Sequence, residues 1–111
     1  MKIKDELMRD EKETFCQNNG IVMRAIVTFF KRGWFKTKEL LRTLEAYELE
    51  TSDVTTAIDY FADMGYIKVR DAETHEDVLP CDMDFEDLEI RLHANGVQLS
   101  NHLISDIGID L

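Results

Sequence analysis

Apolar residues recur at helical spacing over most of this chain and alternate at strand spacing in two short stretches. The spacing predicts a first helix over Lys2 to Cys16, with a narrow stripe at Ile3, Leu7 and Phe15 and Met8 beside it. Acids crowd its opening turns, where the helix dipole favours them. Gln17-Asn18-Asn19-Gly20 is expected to end it, because Asn and Gly tolerate the left-handed backbone of a helix terminus. Ile21 to Lys31 then reads as the central core helix, through Ile21, Val22, Ala25, Ile26, Phe29 and Phe30, with Gly33 as its stop.

Trp34-Phe35-Lys36 reads as a short extended segment, and Thr37 as a candidate N-cap for a second helix that buries Leu40, Leu41 and Leu44. Glu48-Leu49-Glu50-Thr51 is the following turn, with Leu49 plugging the core beneath it. A third helix from about Ser52 places Val54, Ala57, Ile58, Phe61 and Met64 inward. Ser52, Asp53, Thr55, Thr56, Asp59, Tyr60 and Asp63 face outward, and Gly65 supplies the stop. Tyr66 to Arg70 alternates as a strand. Asp71 to Asp87 is a long acidic loop with too little apolar surface to order itself strongly. Leu88, Ile90 and Leu92 alternate with Glu89, Arg91 and His93, a second strand expected to pair antiparallel with the first. Asn95-Gly96 reads as a turn into a last helix carrying Val97, Leu99, Leu103, Ile104 and Ile107.

The pattern predicts a mainly α, α+β chain with one small β-hairpin. Its 111 residues form a single domain: an N-terminal helix extension over 1–20, a core over 21–93 and a C-terminal helix over 94–111. The strongest part of that pattern is AIDYFADMGYIKVR, Ala57 to Arg70, taken with LEIRLHANGVQL, Leu88 to Leu99. On these residues, from Ile21 to about Leu103, the chain resembles the winged helix-turn-helix superfamily, particularly its small bacterial and prophage-type members. In that family a comparable helix ends in Gly-Tyr or Gly-Leu, enters the wing, and is followed by a strand and a Gly-containing turn. His93 stands where the family often has a small hydroxyl residue.

The resemblance implies a non-enzymatic regulator of transcription that touches DNA. The first residues of the third helix, Ser52, Asp53, Thr55 and Thr56, would meet base edges. Lys36, Thr37 and Lys38 would meet phosphate at the start of the second helix, and Lys68 and Arg70 lie on the first wing strand. The family also includes dimerisation and protein-interaction modules. Against base reading stands the third helix itself, which carries Asp53, Asp59 and Asp63 and no Lys or Arg.

Charge distribution sharpens that conflict. The net charge is −10. Residues 1–44 hold ten Lys and Arg against six Asp and Glu, an excess of +4; residues 45–111 hold three against seventeen, an excess of −14. Such a chain is repelled by nucleic acid at long range, although a local basic cluster can still bind phosphate. Lys31, Arg32, Lys36, Lys38 and Arg42 form that cluster. The alternative is an acidic protein-interaction module, in which Tyr60 between Asp59 and Asp63 serves as an aromatic anchor in a charged rim.

Other classes find little support. His75, His93, His102 and Cys81 lack the close spacing of a metal site, so no metal or cofactor is expected. Asp82 and Asp84 lie in the long loop, away from any preorganised acid–base setting, and no nucleophile motif or Gly-rich phosphate loop occurs. No catalytic residue or small-molecule substrate is expected. No apolar run spans a membrane and the N-terminus lacks a signal-peptide pattern, so a cytoplasmic protein is expected, with Cys16 and Cys81 reduced. The apolar residues Ile3, Leu7 and Met8 at one end, and Leu103, Ile104, Ile107 and Leu111 at the other, suggest a homodimer built from the terminal helices.

Overall fold

Helix α1 (Lys2–Phe29) runs unbroken through 28 residues, including the Asn-Gly segment expected to end it. The structure, a computed structural model, describes residues 2–30, 33–101 and 105–110, with side chains described from residue 11 onward except at residue 100. Gly in a helix interior costs about 1 kcal/mol relative to Ala, so Gly20 needs a reason. It lies in the next layer of packing: a Cβ on Gly20 would stand 2.0 Å from the Asp110 carbonyl oxygen. Beside it, Asn19 is 1% exposed and donates through Nδ2 to the Gly108 carbonyl at 2.8 Å. What reads locally as a helix stop is the seat of the C-terminal segment.

After α1 come β1 (Phe35–Lys36), α2 (Thr37–Leu44), a single 3-10 turn, and α3 (Thr51–Asp63). Two further strands, β2 (Ile67–Asp71) and β3 (Leu88–Leu92), precede α4 (Ala94–Ser100). The strands form one antiparallel sheet in the order β1-β3-β2. The expected pairing of the two strands is present, with Val69 opposite Ile90 and Phe35 opposite Ile90 on the other side. Phe35, Ile67, Val69, Leu88 and Ile90 line the inner face and close on Val22, Met23, Ile26, Leu40, Leu44, Val54, Ile58 and Phe61 from the helices. The fold is therefore α+β, helices on one face of a small sheet.

Local details depart from the sequence expectations where tertiary contacts intervene. Thr37 does not cap α2. It is the first helical residue, fully buried, and its hydroxyl donates to the carbonyls of Phe85 and Leu88, tying α2 to the start of β3. Helix α3 is entered from Glu50, whose backbone N–H donates to Asp53 Oδ2 at 3.0 Å. Met64, expected inward, is half exposed at the end of α3, where Gly65 (φ +74°) turns the chain toward β2. Asn95 and Gly96 lie inside α4 rather than before it, and α4 ends at Ser100, short of the expected helix to 111. Residues 105–110 instead form a non-helical strap across α1.

Candidate functional site

The strap ends in a carboxylate clasp that joins three elements. Asp106 accepts hydrogen bonds from the hydroxyls of Tyr60 on α3 and Tyr66 before β2, and from its neighbour Gly108 N–H at 2.7 Å. The strap's backbone is tied to α1 as well: Cys16 Sγ donates to the Ile107 carbonyl, Asp110 N–H to the Cys16 carbonyl, and Arg24 to the Asp110 carbonyl. A Cβ on Gly108 would stand 2.6 Å from the Tyr60 hydroxyl, so the chain must be bare there. Burial works against the charged Asp106, yet the two hydroxyls and the Gly108 N–H outweigh it and hold the carboxyl below its ordinary value. Burial, then Asp106, pushes Tyr60 up to about 12 and Tyr66 further in the same direction.

The clasp removes Tyr60 from the role of exposed anchor. Its ring packs edge-on against Phe15 of α1, 5.4 Å between centroids, and its hydroxyl is engaged. Asp59 is half-buried, its carboxyl raised by burial and by Asp63; Asp63 is exposed. Toward the start of α3, Ser52 is exposed, while Thr55 and Thr56 donate their hydroxyls back to the Thr51 and Ser52 carbonyls, both at 2.8 Å. Beside this edge lies an open cleft of about 350 Å³ between α1 and α3, lined by Glu11, Phe15, Asn18, Asp53 and Thr56 among others. No cation lines it. The surface that would read bases is acidic.

The expected basic cluster is dispersed. Lys31 and Arg32 lie outside the described residues. Lys36 and Lys38 are exposed but share a groove of about 320 Å³ with Asp71 at the end of β2 and with Glu73, Glu86 and Asp87 of the β2–β3 loop. Asp71 is held below its ordinary value by the backbone N–H groups of Glu73 and Thr74, which fixes one wall of that groove as a carboxylate. Buried Thr37 presents no hydroxyl to a phosphate. Arg42 is exposed in the last turn of α2.

Positive charge gathers instead on the outer face of the sheet. Strand alternation places Lys68 and Arg70 of β2, Glu89 and Arg91 of β3 and Lys36 of β1 on that face. The register sets Lys68 directly opposite Arg91, and Arg70 opposite Glu89. Arg70 Nε donates to Glu89 Oε1 at 3.0 Å, while its guanidinium carbon lies 3.9 Å over the Trp34 ring. His75 Nε2 approaches the same Glu89 oxygen at 3.5 Å. Neither Lys68 nor Arg91 makes an ion pair among the described residues.

Arg91 and Trp34 are the site residues that sequence reasoning missed. The alternation of the Leu88–Leu92 strand already placed Arg91 outward, but only the register sets it against Lys68. Asn19, Gly20 and Asp106 were missed for a related reason, since no local signal links positions 40 or more residues apart.

Among the described residues no helix is long and apolar enough to cross a membrane, and no group of three or more His, Cys, Asp or Glu stands as a metal set. Comparison with protein-family models, with curated proteins and with solved structures finds no match.

Proposed function

We propose that this chain is a winged-helix protein of bacterial or prophage type, a non-enzymatic regulator that associates with DNA through the phosphate backbone rather than by reading bases. The observation that carries it is topological. The helix pair α2–α3 is followed by the β2–β3 hairpin, and β1, entered just before α2, adds to that hairpin as the third strand in the order β1-β3-β2. Backbone association agrees with the side chains. Asp53 is engaged at the start of α3, the Thr55 and Thr56 hydroxyls are turned back on the helix, and the exposed cations belong to α2 and the sheet. Two copies paired through the terminal regions complete the proposal, with Ile107 of the strap fully exposed.

Gel retardation of short duplexes at low salt tests it. Backbone association predicts retardation of every duplex tried, with affinity falling steeply as salt rises, by about one logarithmic slope unit per neutralised phosphate. Thr55→Ala should leave sequence preference unchanged. A protein that retards no duplex at low salt ends the DNA proposal. Light scattering of the purified chain tests the dimer, and a monomer mass at micromolar concentration ends that part of it.

One observation favours a second function, a protein-interaction module. The cleft between α1 and α3 is lined by Glu11, Asp53 and Phe15 and by no cation among the described residues, which suits a basic protein segment. Loss of a co-purifying basic protein in Glu11→Lys, with DNA retardation unaffected, would favour the interaction module.

A further inference from the structure

We propose that the outer face of the three-stranded sheet is a binding surface for a phosphodiester chain, with Lys68, Arg91 and the Arg70–Trp34 stack as its contacts. In naming nucleic acid as the ligand it rests on the DNA function above; in its geometry it does not. Residues directly opposite on one face of an antiparallel pair have their Cβ atoms about 5 Å apart, and like charges placed there are destabilising. Lys68 and Arg91 occupy such a pair, both exposed, with no acid partner among the described residues. Acids are not scarce in this chain: it has 23. Of the acids on this face, Glu89 is already taken by Arg70 and approached by His75, and Asp77, bridged to Arg70 at the β2 edge, makes no ion pair with Lys68 or Arg91 among the described residues. Two uncompensated cations side by side become favourable when an anion sits between them.

Arg70 is the preorganised member of the set. Stacking on Trp34 and the Nε hydrogen bond to Glu89 fix the plane of its guanidinium, and its terminal nitrogens make no hydrogen bond among the described residues. A fixed, planar fork with free N–H groups matches a phosphate oxygen pair and gives up little side-chain entropy on binding. The face presents cations and one aromatic plane, which suits a repeating anion better than the apolar anchors of a peptide.

The location also answers the net charge of −10. The inner face of the sheet packs on the helices, so a ligand on the outer face is separated from Asp59 and Asp63 by a packed layer about 10 Å thick. The exposed Lys68 and Arg91 of that face are therefore nearer to such a ligand than those two acids are.

Trp34 is the single tryptophan of the chain and lies within the proposed surface, so its fluorescence reports occupancy directly. The full-length protein is titrated with a short labelled duplex, with inorganic polyphosphate and with polyglutamate, reading duplex anisotropy and Trp34 emission together. The expected result is duplex binding that changes Trp34 emission in step. Lys68→Glu with Arg91→Glu weakens it roughly tenfold or more and lowers the salt slope by about 2. The comparison pair Lys38→Glu with Arg42→Glu, on α2, weakens duplex binding less and leaves Trp34 emission changing in step with what binds, and circular dichroism checks the fold of both double variants. If the duplex binds, Trp34 stays silent and only the α2 variant loses affinity, the sheet surface is overturned and the DNA function stands. If no duplex binds but polyphosphate moves Trp34, and Lys68→Glu with Arg91→Glu abolishes that response, the surface stands and the DNA function falls. A Trp34 response to polyglutamate alone, or to nothing, overturns the surface.

Discussion

The clasp and the outer sheet face treat charge in opposite ways. At the clasp a single carboxylate, Asp106, is surrounded by donors: two tyrosine hydroxyls and a backbone N–H. On the sheet, Lys68 and Arg91 stand opposite each other with no acid between them. A satisfied charge locks structure, because removing either partner leaves a buried or half-buried group without its hydrogen bond. An unsatisfied charge of like sign costs stability and holds open a place for something else. The contrast separates what this molecule uses to fold from what it offers to a ligand.

The largest expected effect breaks both regions at once and sets the scale. Phe61 is fully buried, and its ring lies between those of Tyr60 and Tyr66, at 6.4 and 6.5 Å. Phe61→Ala should cost about 3–5 kcal/mol in chemical denaturation, and the clasp should be lost with the core. Asp106→Ala separates the two regions. It leaves the Tyr60 and Tyr66 hydroxyls without their acceptor and should cost about 2 kcal/mol. The Trp34 response to polyphosphate should be unchanged. A loss of that response would mean that the clasp and the sheet face are coupled.

Smaller effects come from pH and from the strap's seat. The Tyr60 and Tyr66 values are raised in the folded protein. Their contribution is therefore complete below the unfolded value of about 10 and is lost as pH rises toward about 12, where Tyr60 ionises. Asp106 is lowered, so its contribution is present above the unfolded value of about 3.9 and is lost as pH falls through the folded one. Asp59, raised by burial and Asp63, has the opposite sign and softens the acid limb. Denaturation midpoints against pH should fall at both extremes in the wild type. The acid limb should flatten in Asp106→Asn. Gly20→Ala should favour helix by about 1 kcal/mol yet expel the strap, since its Cβ meets the Asp110 carbonyl. Faster hydrogen exchange at Gly108 and Asp110 with α1 still protected is the expected signature.

The smallest effect has the most telling sign. Lys68→Glu replaces a like-charge pair across the strands with an opposite-charge pair and should stabilise the fold by about 0.2–1 kcal/mol. If the same change weakens phosphate binding, stability and binding trade against each other at one residue. If it destabilises, the outer face is a balanced structural surface rather than a ligand surface.

Much of the local architecture was legible in the sequence. Val54, Ala57, Ile58 and Phe61 mark the buried face of α3, Gly65 marks its end, and the alternation of Leu88, Ile90 and Leu92 marks β3. These signals succeed because they depend on periodicity and backbone conformation over neighbouring residues. The candidate sites were only half legible. Lys68 and Arg70 were visible as strand cations, but Arg91 joins them only through the register, and Trp34 only through Arg70 folding over it.

The sequence by itself determined the types of the central helices and strands, the α+β class and the split of charge between the two parts of the chain. Only the tertiary structure decided that Asn19 and Gly20 sit inside a helix, that Thr37 is buried against the start of β3, that Tyr60 serves a clasp, and that the cations of two strands share one face. The physical reason is the same in each case. Asn, Gly, Thr and Tyr carry a local preference of about a kcal/mol or less, whereas a buried hydrogen bond or a close backbone approach from a distant segment outweighs it.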